Sequence, residues 1–396
     1  MNVVFISPHF PLYFHNFCSR LKERGVNVLG IGDEDYNLIS EETKRAVTEY
    51  YRVSNLENYE EVKKACKFYE HKYGKIDWIE SQNEYWLEME ATLRSEFDVT
   101  TGTKIENMSS MKYKSKMKDV YKKAGIPVAR YDYATDIQSC FDFINKVNYP
   151  VIVKPDNGVG ANSTYRLNNE NDVINFFNTK EENVSYIIEE FINGHVETFD
   201  GITDSNKNIL IASSHVMARS IMDCVNEKQE AIFYCQSIEN TDIEEIGRRA
   251  VKAFDTRSRF FHFEFFRLDE DKEGLGKKGD LIGLEVNMRA PGAYMPDMIN
   301  YTYDVDVYSI WADMLIYNKS FVDINKKYSV GYVSRRKNFK YKKSIEDIKQ
   351  NFREKILFDT EVPKVLSDAM GDRVLLARSK QENELLDIIN LAIEKI

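Results

Sequence analysis

Along the first part of the chain, short apolar runs alternate with longer amphipathic stretches. The short runs are rich in β-branched residues and predict buried parallel strands at 2–7, 26–31 and 76–81. The longer stretches predict helices at 16–24 and 57–73. Strands that alternate with helices indicate an open α/β sheet, so we predict a first α/β domain over residues 1–105.

Beyond residue 105 the pattern indicates an α+β arrangement with antiparallel strands. A strongly basic helix is predicted at 109–124, where Gly125 ends it. Further strands are predicted at 150–154, 164–167, 186–192, 196–204, 208–216, 261–266 and 281–287. The last residues, 382–396, predict an amphipathic helix. We divide this part into a central domain, 106–188, and a C-terminal domain, 189–396.

The segment 151-VIVKPDNGVGANS-163 combines a lysine with two glycines one residue apart. A P-loop requires its lysine after the glycines, whereas Lys154 precedes them. A dinucleotide fingerprint requires a third glycine and a following helix, whereas STYRL favours a strand. The order strand, lysine, glycine loop, strand predicts a hairpin flap that can lay backbone N–H groups over phosphates. The alternative is an ordinary glycine-rich hairpin that carries a surface lysine.

A row of polar side chains follows one face of the predicted strand in 284-LEVNMRAPG-292. Because side chains alternate across a strand, Glu285, Asn287 and Arg289 share that face. The side-chain oxygens of Glu285 and Asn287 are ligands of the kind that Mg²⁺ binds. The guanidinium of Arg289 can bind a carboxylate or phosphate group through two hydrogen bonds. The strand at 261–266 carries one acid, Glu264, so pairing of the two strands would bring Glu264 and Glu285 to a shared ion. The alternative is a solvated strand face.

Two acids stand near the end of the apolar strand in 186-YIIEEFINGHVETFD-200. The run from Glu189 to Ile192 suits a hinge strand whose backbone and first acid read an adenine edge. Glu197 is placed to reach ribose hydroxyls. The alternative is a strand end with solvated acids.

The order of these pieces resembles the ATP-grasp superfamily, whose members include biotin carboxylase, the carbamoyl-phosphate synthetase large chain and the amino-acid (dipeptide) ligases. The resemblance runs from about residue 105 to residue 300. It implies an ATP-grasp fold of α/β and α+β parts, with a Rossmann-like N-terminal domain and ATP held between two α+β lobes. In this family a lysine precedes the glycine that ends the basic helix by eleven residues. Counting back from Gly125 gives Lys114, which we prefer to Lys112.

The resemblance also implies roles for individual residues. The residues implied to hold ATP are Lys114, Lys154, Gly158, Gly160, Ala161, Asn162, Ser163, Glu189, Glu190, Phe191, Ile192 and Glu197. The residues implied to hold magnesium are Glu264, Glu285 and Asn287. Arg289 would stabilise the transferring phosphate or the acyl phosphate, together with Lys154 and, on the substrate side, Arg219. Ala161 and Asn162 stand where many relatives have a serine–glycine pair, which affects the expected phosphate contacts of the flap.

The implied function is that of an ATP-dependent, ADP-forming ligase that activates a carboxylate as an acyl phosphate and couples it to an amine. ATP and Mg²⁺ are the expected cofactors, with two metal ions and with Mn²⁺ as a substitute. One alternative is a bicarbonate-dependent carboxylase or carbamoyl-phosphate enzyme, although the chain has one ATP-grasp unit and no biotin-attachment or glutaminase segment. Another is a nucleotide-binding regulatory module without turnover, which the intact set of metal ligands disfavours.

Composition restricts the partners and the compartment. The net charge of −10 argues against nucleic acid and favours small-molecule carboxylate and amine substrates. Five widely spaced cysteines support neither a disulfide framework nor a zinc site, and no apolar run is long enough for a membrane span. We therefore expect a cytoplasmic protein without a membrane partner. The sequence leaves the oligomeric state open, and a homodimer is one of the alternatives.

Several further residues are candidates for substrate contact, but each has a plainer interpretation. His262 is interpreted as a packed histidine rather than a general base. His9 and His15 are interpreted as residues of a structural loop. The cationic run 335-RRK-337, which includes Arg335 and Arg336, is interpreted as a solvated surface rather than an anion site.

Overall fold

The computed structural model describes residues 1–158, 163–219, 224–225 and 227–396. The strands of these residues are, in chain order, β1 Asn2–Ile6, β2 Asn27–Gly32, β3 Glu49–Arg52, β4 Trp78–Glu80, β5 Tyr131–Tyr133, β6 Val151–Pro155, β7 Tyr165–Leu167, β8 Tyr186–Glu190, β9 Gly194–Thr203, β10 Ile209–Met217, β11 Ile232–Gln236, β12 Arg259–Leu268, β13 Leu281–Asn287, β14 Ser329–Arg335, β15 Ile356–Glu361 and β16 Arg373–Ser379. The α-helices are α1 His15–Glu23, α2 Glu41–Ala46, α3 Tyr59–Tyr73, α4 Leu87–Glu96, α5 Lys114–Lys123, α6 Ile137–Val147, α7 Glu170–Thr179, α8 Asp242–Ala253, α9 Met295–Tyr303, α10 Val307–Tyr317, α11 Ile345–Asn351, α12 Ser367–Met370 and α13 Glu382–Ile393.

The first sheet is parallel, with strand order β3-β2-β1-β4. Strand β1 is buried along its whole length because both of its faces are covered. On one face Phe5 packs against Phe17 of α1 and Trp311 of α10, and on the other Val4 belongs to a core that includes Val62 of α3. The three strands predicted in this section are present. The sequence analysis did not predict β3, whose residues are only half-buried or exposed and carry little periodicity.

The second sheet is antiparallel and contains eight strands of the described residues, in the order β13-β12-β9-β10-β11-β14-β16-β15. Its central strands are rich in aromatic residues because one face packs under helix α8. There Phe199, Phe261 and Phe263 form a core with Ile243 and Ala250 of the helix. The opposite face of β12 and β13 carries polar side chains, among them Glu264 and Glu285.

The third sheet is antiparallel, with the order β5-β8-β6-β7. Helices α6 and α7 cover one face and bury Phe143 and Phe176 against Val151 and Ile188. Its other face carries polar side chains toward helix α5. The division predicted at residue 188 falls within β8, which continues to Glu190.

The basic helix differs from the prediction at its N-terminal end. A 3₁₀ turn at Ser109–Met111 is separated from α5, which begins at Lys114. Tyr113 at the N-cap offers no side-chain cap, so the cap comes from a distant residue. The carboxylate of Asp156 accepts hydrogen bonds from Ser115 N and Ser115 Oγ at 2.8 Å each, and its carbonyl accepts from Lys114 N at 2.9 Å. These bonds tie the loop after β6 to the start of α5.

Within the described residues, no helix combines the length and apolar character that a membrane crossing requires.

Candidate active site

Three buried lysines converge beside the third sheet. Lys114 and Lys118 lie one helical turn apart on α5, and Lys154 extends from β6. All three side chains are buried. The carboxylate of Glu189 on β8 bridges two of them, with 3.0 Å from Oε1 to Lys118 Nζ and 3.0 Å from Oε2 to Lys154 Nζ. Lys118 was missed by the sequence analysis, although its spacing of four from Lys114 places it on the same helix face.

The lysines set the charge state of this cluster. Burial alone raises the pKa of Glu189, but Lys118 and Lys154 outweigh burial and lower it to about 2. Burial lowers the pKa of Lys118 despite the attraction of Glu189. Glu189 is thus the shared carboxylate partner of Lys118 and Lys154, and one carboxylate between two lysines leaves room for an anionic ligand.

Strands β12 and β13 bring the two predicted acids together. Glu264 lies directly opposite Glu285, and His262 lies opposite Asn287, so the predicted pairing of these strands is confirmed. Lys114 Nζ lies 3.1 Å from Glu285 Oε1 and donates to the carbonyl oxygen of Gly158 at 2.9 Å. This lysine thus connects the acids of the second sheet to the loop after β6.

The crowding of acids affects Glu285. Burial raises the pKa of Glu285, and the nearby carboxylates of Glu84 and Glu264 raise it further against the opposing effect of Lys114. Because the carboxylates of Glu84, Glu264 and Glu285 repel one another, a bound cation among them would be favourable. No group of three or more His, Cys, Asp or Glu side chains in the described ranges is arranged to hold a metal by itself.

A chain of buried polar contacts leads to Glu264 from the interior of the second sheet. Asp200 on β9 lies between two histidines, with 2.7 Å from Oδ2 to His215 Nδ1 and 2.5 Å from Oδ1 to His262 Nδ1. His262 Nε2 lies 3.0 Å from Glu264 Oε1. Burial lowers the pKa of His262, but Asp200 and Glu264 outweigh burial and raise it to about 9. His262 is packed, as expected, and it fixes the orientation of Glu264.

Arg289 contacts the segment that follows β4. Its Nη2 lies 3.0 Å from Glu84 Oε2, and its Nη1 donates to the carbonyl oxygen of Ala290 at 2.8 Å. The backbone N–H of Ala290 donates to Gln82 Oε1 at 3.0 Å. Glu84 was missed by the sequence analysis. Its signal was its place just after a parallel strand, since ligands of open α/β sheets bind beyond the carboxyl ends of the strands.

The other adenine and ribose candidates lie along β8 and β9. Glu190 turns away from Glu189 and binds Arg130, whose Nη2 lies 2.6 Å from Glu190 Oε2. The ring of Phe191 lies 4.4 Å from the guanidinium of Arg166. Ile192 is buried in a small apolar core with Ala129, Leu268 and Ile282.

Two predicted side chains are held by ion pairs outside the lysine cluster. Glu197 Oε1 lies 2.5 Å from Arg267 Nε, and its Oε2 accepts from Gln236 Nε2 at 2.9 Å. Arg219 Nη1 lies 2.5 Å from Glu230 Oε2. Of the predicted flap residues, Gly158 and Ser163 are described, and Gly160, Ala161 and Asn162 lie outside the described residues.

The interpretation of 335-RRK-337 as a solvated run is wrong for Arg336. This side chain is only 5% exposed. Its guanidinium donates to the carbonyl oxygens of Cys224, Gln229, Ser367 and Asp368. Arg335 Nε donates to the carbonyl oxygen of Ala392. Both arginines therefore hold backbone segments together, a role that depends on contacts distant in sequence.

Asp297 on α9 is a partly buried carboxyl group that accepts a hydrogen bond from Tyr308 at 3.3 Å. Burial raises its pKa to about 6. Because the folded-state pKa lies above the unfolded value, the charge becomes unfavourable as pH rises through this range. Asp297→Asn should therefore increase the free energy of unfolding at pH 8 by about 1–3 kcal/mol, with little change near pH 4.

Thermal unfolding of both proteins between pH 4 and pH 8 measures this difference. Asp323→Asn, at an exposed position, is the control and should follow the wild type at every pH. Parallel pH profiles for wild type and Asp297→Asn would contradict the raised pKa.

Residues 119–289 match the model of the ATP-grasp domain. These residues form an ATP-grasp domain. The chain is 23% identical over 271 residues to an L-arginine-specific L-amino acid ligase of Bacillus subtilis, a match that covers 66% of this chain and 63% of the ligase. The chain thus spans less than two thirds of that ligase's length. A carbamoyl phosphate synthase large chain of Clostridium botulinum is 38% identical over 60 residues, which are 15% of this chain and 6% of the synthase.

Solved structures share the architecture of the ATP-grasp domain and its flanking regions. An L-amino acid ligase from Bacillus licheniformis superposes with a TM-score of 0.73 at 16% identity, over 98% of this chain and 96% of that one. The biotin carboxylase domain dimer of the Hydrogenobacter thermophilus 2-oxoglutarate carboxylase, solved with MgADP, ADP and bicarbonate, gives 0.69 at 15% identity, over 97% and 88%. At these identities the matches establish the fold.

Proposed function

We propose that this protein is an ATP-dependent, ADP-forming ligase that joins a carboxylate to an amine. The observation that carries the proposal is the approach of the lysine cluster to the acids of β12 and β13, which Lys114 bridges through its contact with Glu285. A magnesium–polyphosphate complex requires cations that bind the phosphates, which the lysines supply. It also requires oxygen ligands for the metal, which the acids supply. The likeness to L-amino acid ligases supports the same reaction class.

In this proposal the lysines hold the phosphates of ATP. Lys114 and Lys154 take the α- and β-phosphates, and Lys118 adds a third cation close to Lys154 through their shared partner Glu189. The loop over 156–163 covers the β- and γ-phosphates. Burial makes each cation more effective than it would be in water, since the surrounding dielectric is low.

The adenosine end is assigned to β8 and the residues that follow. Glu189 accepts a hydrogen bond from the adenine amino group, the backbone from Glu190 to Ile192 completes the contact, and Glu197 binds the ribose. Glu189 and Glu197 are both held by cations in the structure, so nucleotide binding rearranges their contacts.

The residues that would hold magnesium are Glu264, Glu285 and Asn287. They offer two carboxylates and one amide oxygen from adjacent strands, which fits Mg²⁺ because this ion completes its octahedron with water and substrate phosphates. When bound, magnesium supplies positive charge that neutralises the polyphosphate. We propose two ions, with Mn²⁺ as a substitute.

The chemistry proceeds in two steps by this assignment. A carboxylate oxygen of the first substrate attacks the γ-phosphorus, and the bond from this phosphorus to the β,γ-bridging oxygen breaks, which gives an acyl phosphate and ADP. The amine nitrogen then attacks the carbonyl carbon, phosphate leaves with the bond electrons, and the nitrogen loses a proton to solvent. In this proposal Arg289 neutralises the transferring phosphate, and the contribution of the protein is position and charge.

Release of ADP tests this proposal. The protein is incubated with ATP, Mg²⁺ and pools of amino acids and other carboxylates, with and without an amine. Turnover that requires both a carboxylate and an amine supports the ligase. ADP release driven by bicarbonate alone would identify a carboxylase-type enzyme instead, and ATP binding without turnover on any pool would identify a regulatory module.

A homodimer is the assembly we propose, since one structural relative is a biotin carboxylase domain dimer. Size-exclusion chromatography with light scattering should give about twice the chain mass of 46.3 kDa. A mass equal to that of one chain would contradict it.

Asp200 is proposed to position Glu264 through His262, and its replacement tests that role. Asp200→Asn should weaken the apparent affinity for Mg²⁺ by roughly 10–100-fold, because partners of metal ligands have effects of this size. At saturating Mg²⁺ kcat should largely recover. Calorimetric titration of Mg²⁺ into the ADP complex measures the affinity independently of turnover.

The control for this variant is Asp387→Asn, an exposed acid on helix α13. It should leave the Mg²⁺ dependence unchanged. Equal Mg²⁺ affinity in Asp200→Asn and wild type would show that the buried chain of contacts serves the fold alone.

A further inference from the structure

An apolar cavity of about 220 Å³ opens beside Arg289 and Glu84. From its lining we infer that it binds the side chain of the carboxylate substrate and selects an apolar one, aliphatic or aromatic. This inference rests on the proposed ligase function, since in that function Arg289 neutralises the phosphoryl group that the substrate carboxylate attacks.

The apolar part of the wall comes from four separate parts of the chain. Tyr13 belongs to the loop after β1, Tyr294 to the segment after β13, Tyr332 to β14, and Leu366 and Met370 to the segment around α12. The rings of Tyr294 and Tyr332 stack with centroids 6.3 Å apart. Because the hydroxyl of Tyr332 donates to the carbonyl oxygen of Met370 at 2.7 Å, its polar end is satisfied and its ring presents an apolar surface.

The charge in the lining of the cavity belongs to two residues of the candidate active site. Among the described residues that line it, only Arg289 and Glu84 are charged, and they bind each other at 3.0 Å. The amide of Gln82 is also engaged, since it accepts from Ala290 and donates to Glu80. Among the described lining residues a charged substrate side chain would find no counter-ion that is not already paired, and burial of an unpaired charge is strongly unfavourable.

The size of the cavity, about 220 Å³, suits a small group rather than a drug-sized ligand. It is smaller than the roughly 300–1,000 Å³ of sites that enclose complete drug-sized ligands. A carboxylate that attacks a phosphoryl group beside Arg289 would extend its substituent into the cavity.

The apolar lining separates this chain from the arginine-specific ligase to which it is similar. A guanidinium substrate needs an acid as its partner, whereas the lining residues from β14 and around α12 are uncharged: Tyr332, Val362, Pro363, Leu366 and Met370. Hydrophobic pockets discriminate by roughly 10–200-fold for each methylene group. We therefore expect kcat/KM for leucine, methionine or phenylalanine to exceed that for alanine by at least about tenfold, and that for arginine by more.

Leu366→Glu tests the cavity without altering a catalytic residue. The variant places an acid in the wall, so kcat/KM should fall for leucine by at least about tenfold and rise for arginine. Leu38→Glu is the matched control, because Leu38 is 75% exposed in the loop between β2 and α2, and kcat/KM for both substrates should stay unchanged. Equal or greater activity of the wild type with arginine or glutamate than with leucine would overturn the inference.

A binding measurement separates this inference from the proposed function. Leucine and arginine are titrated calorimetrically into wild type and Leu366→Glu in the presence of Mg²⁺ and a non-hydrolysable ATP analogue. Saturable leucine binding that Leu366→Glu weakens supports the cavity even if no carboxylate causes ADP release, an outcome that would reject the ligase alone. Absence of leucine binding to the wild type, or binding that the variant leaves unchanged, would overturn the cavity assignment.

Discussion

Replacement of Glu285 by glutamine is expected to lower kcat/KM about a thousandfold, or ~4 kcal/mol of transition-state stabilisation. Glu285 faces Glu264 across two paired strands and binds Lys114, so its charge connects the metal ligands to the lysine cluster. Glutamine keeps the shape of the side chain but removes that charge. The loss should appear in turnover and in the Mg²⁺ dependence of ADP binding.

The fold should tolerate this substitution. Burial and the carboxylates of Glu84 and Glu264 already raise the pKa of Glu285, so the neutral amide relieves repulsion while it loses the attraction of Lys114. We expect the melting temperature to change by only a few degrees. Glu245→Gln, at an exposed position of α8, is the control and should retain full activity. Full activity of Glu285→Gln would reject the metal assignment.

Replacement of Arg289 by lysine is expected to lower kcat by roughly 100-fold or more, with a smaller effect on KM. Lysine keeps the positive charge but loses the planar fork that contacts Glu84 and the carbonyl oxygen of Ala290 together. The ammonium cannot hold that geometry against a transferring phosphate. Steady-state kinetics at saturating ATP and carboxylate measure the effect.

Arg248→Lys provides a matched control for the exchange of one cation for another. Arg248 lies on the exposed side of α8 and pairs with Glu244 of the same helix. It should behave as the wild type does. A kcat for Arg289→Lys within about twofold of the wild-type value would show that Arg289 does not act in the chemical step.

Strand periodicity allowed much of the fold to be predicted, since it depends on local pattern. The runs that became β1, β2 and β4 are apolar because both faces of the first sheet are covered. The alternation in 284-LEVNMR-289 predicted both the strand and the side on which its polar groups lie. Alternation predicted which face of its strand carries Glu264 and which carries Glu285, and the observed pairing places the two acids directly opposite each other.

What the sequence could not supply were contacts between distant segments. Lys118 and Glu84 are ordinary charged residues in their local surroundings and join the site only through Glu189 and Arg289. The cap of α5 comes from Asp156, which lies 41 residues from Ser115 in sequence, so the residues around the helix start do not predict it. The run that contains Arg336 has the composition of a solvated surface, whereas in the structure four carbonyl groups accept hydrogen bonds from its guanidinium. Each of these contacts depends on how distant segments pack together. Local periodicity carries no information about that packing.

The central claim is that a carboxylate is activated by transfer of the γ-phosphoryl group of ATP. The most direct measurement uses a carboxylate substrate labelled with ¹⁸O in both oxygens and follows the label into phosphate by mass spectrometry. If an acyl phosphate forms and the amine attacks its carbonyl carbon, each phosphate released carries one ¹⁸O, and ADP is produced in equal amount. Phosphate without ¹⁸O, released together with ADP, would show that water rather than the carboxylate accepts the phosphoryl group and would contradict the proposed ligase.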